Sequence, residues 1–293
     1  MSADGVDVAH ETIESAQRMV TDVWRLGESY VLAPAMTAVV AAAADALDLT
    51  GEILPGDIAP SDHGVLFLPE PIYHRDARGI LTPISVITWH HFADDHVSGW
   101  FVGGWSDPDD PDCPQAAKLK TVRHPRFRSF VGPYMLTEFG VLPIGRPVTP
   151  IPPEHRPEGD IDWETAPDGR YVIDAAHRTT RAFIDVLYAF WAIQDQPIAT
   201  TATAPEDRTT SRRAARAGVT HGTRIVMLRR ARPTTDRSPD AKWRYRVRFV
   251  VRGHWRRLIN RDGDRHRVWV NSYVKGPDGA PMLDGEKVSV LAR

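Results

Sequence analysis

Hydrophobic positions recur with two periods along this chain, and the two alternate in blocks. Helical spacing appears from His10 to Leu26, where Ile13, Ala16, Val20, Val23 and Trp24 share a side and Gly27 follows as a stop. Pro34 to Leu49 predicts a second helix, with proline in its first turn and Thr50-Gly51 beyond its end. Ala175 to Gln196 gives the best helical pattern of the chain, with Phe183, Val186, Leu187, Phe190, Trp191 and Ile193 on a wide face and Pro197 ending it. A short basic helix is expected over Thr209–Gly218, between a capping residue and a glycine.

Extended runs fill the remainder. Val65–Leu68, Ile84–Trp89 and Val97–Val102 predict strands separated by turns such as Asp76 to Gly79, and Val131–Leu142 holds one more. Four strands are expected near the C-terminus: Arg224–Arg230, Lys242–Arg252, Arg265–Val274 and Lys287–Leu291. Asp262-Gly263 and Pro277 to Gly279 are the turn signals between them.

The sharpest alternation lies between Trp243 and Arg257. Trp243, Tyr245, Val247, Phe249 and Val251 fall on one side of a strand; Arg244, Arg246, Arg248 and Arg252 fall on the other, interrupted only by Val250. Side chains on one face of a strand are roughly 7 Å apart, so these arginines form a positive ladder. Arg256 and Arg257 extend it, and Arg212 with Arg216 share a face of the short basic helix.

Composition adds a division. The segment from Pro143 to Gly169 holds seven prolines, which predicts an extended connection. The expected organisation is α+β: an acidic helix-plus-sheet domain over 1–142, a connector over 143–170, and a basic domain over 171–293 with helices followed by an antiparallel sheet. The net charge of −2 hides a split. Of 36 Lys+Arg and 38 Asp+Glu, 22 and 8 fall from Asp207 onward, leaving 14 and 30 before it. Such a split points to a nucleic-acid partner or to the acidic part covering the basic part, within one chain or between copies.

Cys113 is the only cysteine, so no internal disulfide or cysteine zinc cluster forms, and a reducing cytoplasm is expected. The N-terminus is acidic, unlike a signal peptide, and the apolar run Val31–Leu49 contains Pro34, Asp45 and Asp48, so no membrane span is expected. Glycine-rich phosphate loops, nucleophile elbows and paired CxxC motifs are missing from the sequence, and no cofactor is expected.

Two histidine groups are candidates for chemistry. His254 and His266, set among arginines, suggest the acid–base pair of a metal-independent ribonuclease. A two-residue turn at Asp262-Gly263 places His254 opposite Asn271 and puts the histidines on opposite faces. A three-residue loop places His254 opposite Val270, on the same face as His266 but four positions away, roughly 13 Å at strand rise. Either register disfavours the pair and leaves His254 alone as a candidate catalytic residue. The second group, Trp89 to His96, holds three histidines and two aspartates. On a strand His90 and His91 point to opposite faces, so a structural role is favoured over metal binding and no metal is expected.

The run Val251 to Arg256, followed by a strand and Tyr273 to Pro277, resembles the ends of uncharacterised proteins found in actinobacteria and their phages, as does the basic helix Arg212–Arg216 before it. The resemblance covers roughly the last third of the chain; it implies a cytoplasmic, mobile-element setting and carries no mechanism. The leading expectation is a nucleic-acid-binding protein without catalysis. An RNA-cleaving, toxin-like enzyme centred on His254 and a protein–protein adaptor are the alternatives.

Overall fold

The computed structural model describes residues 22–75, 81–93, 98–110, 113, 134–149, 171–174, 182–219, 222–229, 249–259, 263 and 265–275. In chain order these form β1 (Glu28–Leu32), α1 (Pro34–Asp45), β2 (His63–Arg75), β3 (Leu81–Ala93), β4 (Ser98–Ser106), β5 (Met135–Pro143) and β6 (Tyr171–Asp174). They continue with α2 (Ala182–Gln194), β7 (Ala199–Thr203), α3 (Arg208–Arg216), β8 (Arg224–Leu228), β9 (Phe249–Val251), β10 (His254–Ile259), β11 (Arg265–Val270) and β12 (Tyr273–Lys275). The architecture is α+β.

One mixed sheet has the order β5-β4-β3-β2-β1-β8-β7. Strand β2 is long enough to carry two partners on one edge: β1 runs parallel to its first half and β6 parallel to its second. The two halves are offset by a bulge between Phe67 and Ile72, where Pro69 and Pro71 remove two ladder donors. Strands β2 to β5 form an antiparallel meander.

Alternation sorts the sheet into two faces. Leu66, Leu68, Ile87, Trp89, Trp100 and Val102 point into the main core with α1 and α2. Val65, Val86 and Trp105 point the other way, under Val23 and Trp24 of the helical turn at 22–26. Pro34 opens α1 at its first position, and the alanines that follow let the helix approach closely: Ala41, Ala43 and Ala44 are fully buried. Every residue from Phe183 to Trp191 is buried. A helix buried all round must be covered on both sides. The sheet lies beneath α2, and strand β11 of the β10–β11 hairpin packs on it from outside.

Elements after the proline-rich stretch, namely β6, α2, β7 and β8, therefore share one sheet and one core with those before it. Three strands absent from the expected set complete that sheet: β1, β6 and β7. Helix α1 stops at Asp45, short of the expected Leu49. Residues 10–21, 76–80, 94–97, 175–181, 243–248 and 276–293, on which parts of the expected helices, turns and strands fall, lie outside the described residues. No described helix is long and apolar enough to cross a membrane.

Candidate nucleic-acid interface

The strand expected to run unbroken from Lys242 to Arg252 and on toward Arg257 divides at Arg252-Gly253. Before the break, β9 pairs with β12; after it, β10 pairs with β11. Gly253 has a steric reason: a Cβ there would lie 2.4 Å from Cζ2 of Trp269, whose indole occupies that space. Past the break the register sets His254 opposite Val270, Trp255 opposite Trp269 and Arg257 opposite Arg267. This is the register of the three-residue loop, with Gly263 at φ +90° in the turn.

The inner face of this hairpin docks on the helices. Trp269 is buried, and its ring meets Trp255 edge-on with centroids 5.3 Å apart. Trp255 Nε1 donates to the Ala43 carbonyl of α1 at 2.8 Å, and the Trp269 backbone N–H donates to Gln196 Oε1 beyond α2 at 3.0 Å. Arg257 Nη2 lies 2.8 Å from Glu52 Oε1, and Arg267 Nη2 binds the same oxygen. Arg267 is the deeper of the two, its side chain 12% exposed against 75% for Arg257. Nearby Tyr188 has its hydroxyl pushed above the ordinary tyrosine range by burial, with Glu52 adding to the shift and Arg267 opposing it.

The outer face carries His254, Arg256, Leu258, His266, Val268 and Val270. His254, Arg256 and His266 are exposed, as is Arg252 in the break. His254 Nδ1 lies 3.0 Å from the Arg252 carbonyl oxygen. His266 opposes Leu258, so the two histidines share a face but stand four positions apart. No family model, curated protein or solved structure matches the chain.

The remaining arginines divide by what they meet. Arg224 is held by the acidic part: its Nη1 is 3.0 Å from Glu28 Oε2 and 3.1 Å from the Tyr30 hydroxyl, and its Nη2 is 3.3 Å from Glu28 Oε1. Arg212, Arg213 and Arg216 of α3 are exposed, and no carboxylate among the described residues pairs with them, with Arg252 or with Arg256. Arg244, Arg246 and Arg248, the centre of the expected ladder, lie outside the described residues. Trp269 is buried and Trp255 packs partly buried against the core, while Tyr273 is exposed.

A second histidine arrangement was not visible in sequence. His63 of β2 stands opposite His90 of β3, their ring centroids 4.4 Å apart and nearly perpendicular. His90 Nδ1 is buried with no hydrogen-bond partner among the described residues. Burial, then His63 and more weakly His91, hold His90 below the ordinary histidine range against the pull of Asp22 and Asp62. His91 points the other way, toward Trp100 at 6.1 Å, as strand alternation requires. Among the described residues no group of three or more His, Cys, Asp or Glu is placed to hold a metal ion.

Proposed function

We propose that the protein binds nucleic acid through its outward arginines, without catalysis. One observation carries this reading: charge is sorted by direction. Arginines facing the acidic part are paired, Arg224 with Glu28 and Arg257 and Arg267 with Glu52. Those facing away, Arg212, Arg213, Arg216, Arg252 and Arg256, meet no carboxylate among the described residues. Positive charge without a carboxylate partner among the described residues is available to phosphates, whose counterions are released on binding.

The test is fluorescence anisotropy of the full chain with single-stranded and duplex DNA and RNA across a salt series. Binding should weaken with a slope in log K of about −0.7 to −0.9 per phosphate engaged. The double variant R252A/R256A should flatten that slope by about 1.4 to 1.8, while R257A should leave it near the parent's. No binding to any of the four nucleic acids at low salt would overturn the reading.

A second reading, RNA cleavage with His254 as general base, draws on the contact between Nδ1 and the Arg252 carbonyl. In the tautomer protonated at Nδ1 that contact orients the ring and leaves Nε2 as a free base among arginines.

A further inference from the structure

Helix α3 is anomalous in its own terms. It sits in the connection between β7 and β8, antiparallel neighbours at the sheet edge, and Ala204 N donates to Thr223 O at 2.7 Å to close the neck beneath it. None of its side chains is buried. A nine-residue helix with no apolar face gains nothing from packing and is marginal in water.

Its ends hold it together. At the N-terminus Asp207 Oδ1 accepts from the backbone of Thr209 at 2.7 Å and Thr210 at 3.0 Å, and Oδ2 accepts from the Thr210 hydroxyl at 2.6 Å. These donors hold the Asp207 carboxyl below its ordinary range, the Thr210 hydroxyl contributing most. At the C-terminus Gly218 N donates to Ala215 O at 3.2 Å and Val219 N to Ala214 O at 2.9 Å, with Gly218 at φ +77°. Both bonds of a Schellman close are present. The cap is Asp207, two positions before the threonine expected to open the helix.

What is held in place is a row of charge. At 100° per residue Arg208, Arg212, Arg213 and Arg216 fall within an arc of roughly 140°, and the opposite side holds only Thr210, Ser211, Ala214 and Ala215. Resting on the nucleic-acid reading above, we propose that α3 enters the major groove of duplex DNA with this arginine side against the backbone and base edges. The dimensions agree: a helix with its side chains is about 10–12 Å across, and the major groove of B-form DNA is about 12 Å wide and admits a helix. The small residues opposite keep the helix slim enough for depth. Charge complementarity alone fits any nucleic acid, but shape does not. The major groove of duplex RNA is deep and narrow and does not admit a helix, so the partner class is duplex DNA.

The experiment compares a DNA duplex of about 20 base pairs with an RNA duplex of the same sequence, using the full chain, the variant R208A/R212A/R213A/R216A and the variant R252A/R256A. Alanine is the better helix former, so the fourfold variant should retain the parent's circular dichroism and Tm. The parent should bind the DNA duplex at least about 10-fold tighter than the RNA duplex, a difference of about 1.4 kcal/mol. The fourfold variant should lose about 3 to 4 from its DNA salt slope and bind the two duplexes alike. The inference is overturned if the parent binds the RNA duplex as tightly as the DNA duplex. It is equally overturned if the fourfold variant keeps the parent's DNA affinity and slope. Loss of binding confined to R252A/R256A would sink the α3 inference and leave nucleic-acid binding standing; no binding of any nucleic acid would remove both.

Discussion

Two strand pairs in this molecule use the same parts to different ends. In each, a glycine lies beneath a tryptophan ring and a histidine follows or precedes it: His63-Gly64 under Trp89 in β2–β3, and Gly253-His254 under Trp269 at the start of β10–β11. The first pair sits at the centre of the large sheet; the second docks on α1 and α2 from outside. In the first, register brings His63 and His90 into ring contact with a buried nitrogen. In the second, His254 opposes Val270, and both of its histidines face water four positions apart. The residue types do not decide what a histidine can do here. Register and the side of the sheet decide it.

The largest effects should come from the glycines, and in a fixed order. A Cβ on Gly64 would lie 1.9 Å from Cζ2 of Trp89, which is fully buried and ringed by Tyr30, Phe190 and Trp191. Its Nε1 is also tied to the Ser61 carbonyl at 2.9 Å. The ring has nowhere to go, so Gly64→Ala should cost about 3 kcal/mol or more. Gly253→Ala presses on Trp269 from 2.4 Å, but the hairpin is an outer layer that can shift on the helices, so its cost should be about 1–2 kcal/mol. Urea denaturation of the two variants checks the order, and an equal cost would mean that the hairpin is as deeply fixed as the sheet.

The contrast also shows what could be read in advance. Alternation located β2 to β5, β8 and the hairpin, and helical spacing located α1 and α2. Strands β1, β6 and β7 escaped because they are five, four and five residues long and owe their existence to distant partners: β1 pairs with residues 64–67 and 224–226. The proline-rich stretch marked a change in composition, but the core continues across it, since strand pairing is non-local. The His63–His90 contact was hidden by one irregularity. The register near the β2–β3 turn, Tyr73 opposite Pro83, would extend to His63 opposite Ala93; the bulge at the two prolines moves the partner to His90. At the hairpin both Arg256 and Arg257 were expected to extend the ladder, but the register sets them on opposite faces, and Glu52, 205 residues away, binds Arg257.

The next effect in size separates the histidine pairs by pH. His90 is held below its ordinary value in the folded state, so the folded protein binds fewer protons than the unfolded chain once pH drops toward the unfolded value of about 6.5. Stability from this site is fully present above that pH and is lost as pH falls toward the lowered folded value. Protonation would place a charge beside His63 and a donor at a buried Nδ1 without a partner among the described residues. Between about pH 7 and 5 the Tm of the parent should therefore fall more steeply than that of His90→Asn, by a few degrees at most in a chain of this size. Parallel Tm curves for the parent and His90→Asn would mean that the His63–His90 contact is open to water.

The smallest effect on stability, and the sharpest test of function, belongs to His254. Its ring is exposed, and its hydrogen bond among the described residues is with the Arg252 carbonyl, so His254→Asn should change stability by no more than about 0.5 kcal/mol. Proton transfer by a positioned histidine typically contributes roughly 10²–10⁴-fold to a rate, so an enzyme centred here would lose nearly all cleavage in that variant. Geometry argues against it. Cleavage of a phosphodiester needs a base and an acid at one phosphate, and His266, the other histidine on this face, stands four positions along, roughly 13 Å away at strand rise. The flanking arginines can hold a phosphate, but their guanidinium groups stay protonated and cannot exchange a proton with it. The parent and His254→Asn should therefore bind with equal affinity, and gel analysis of labelled RNA incubated with either should show no shortening. RNA shortened by the parent and left intact by the variant, with binding retained in both, would establish catalysis at a lone histidine and reverse the proposed function.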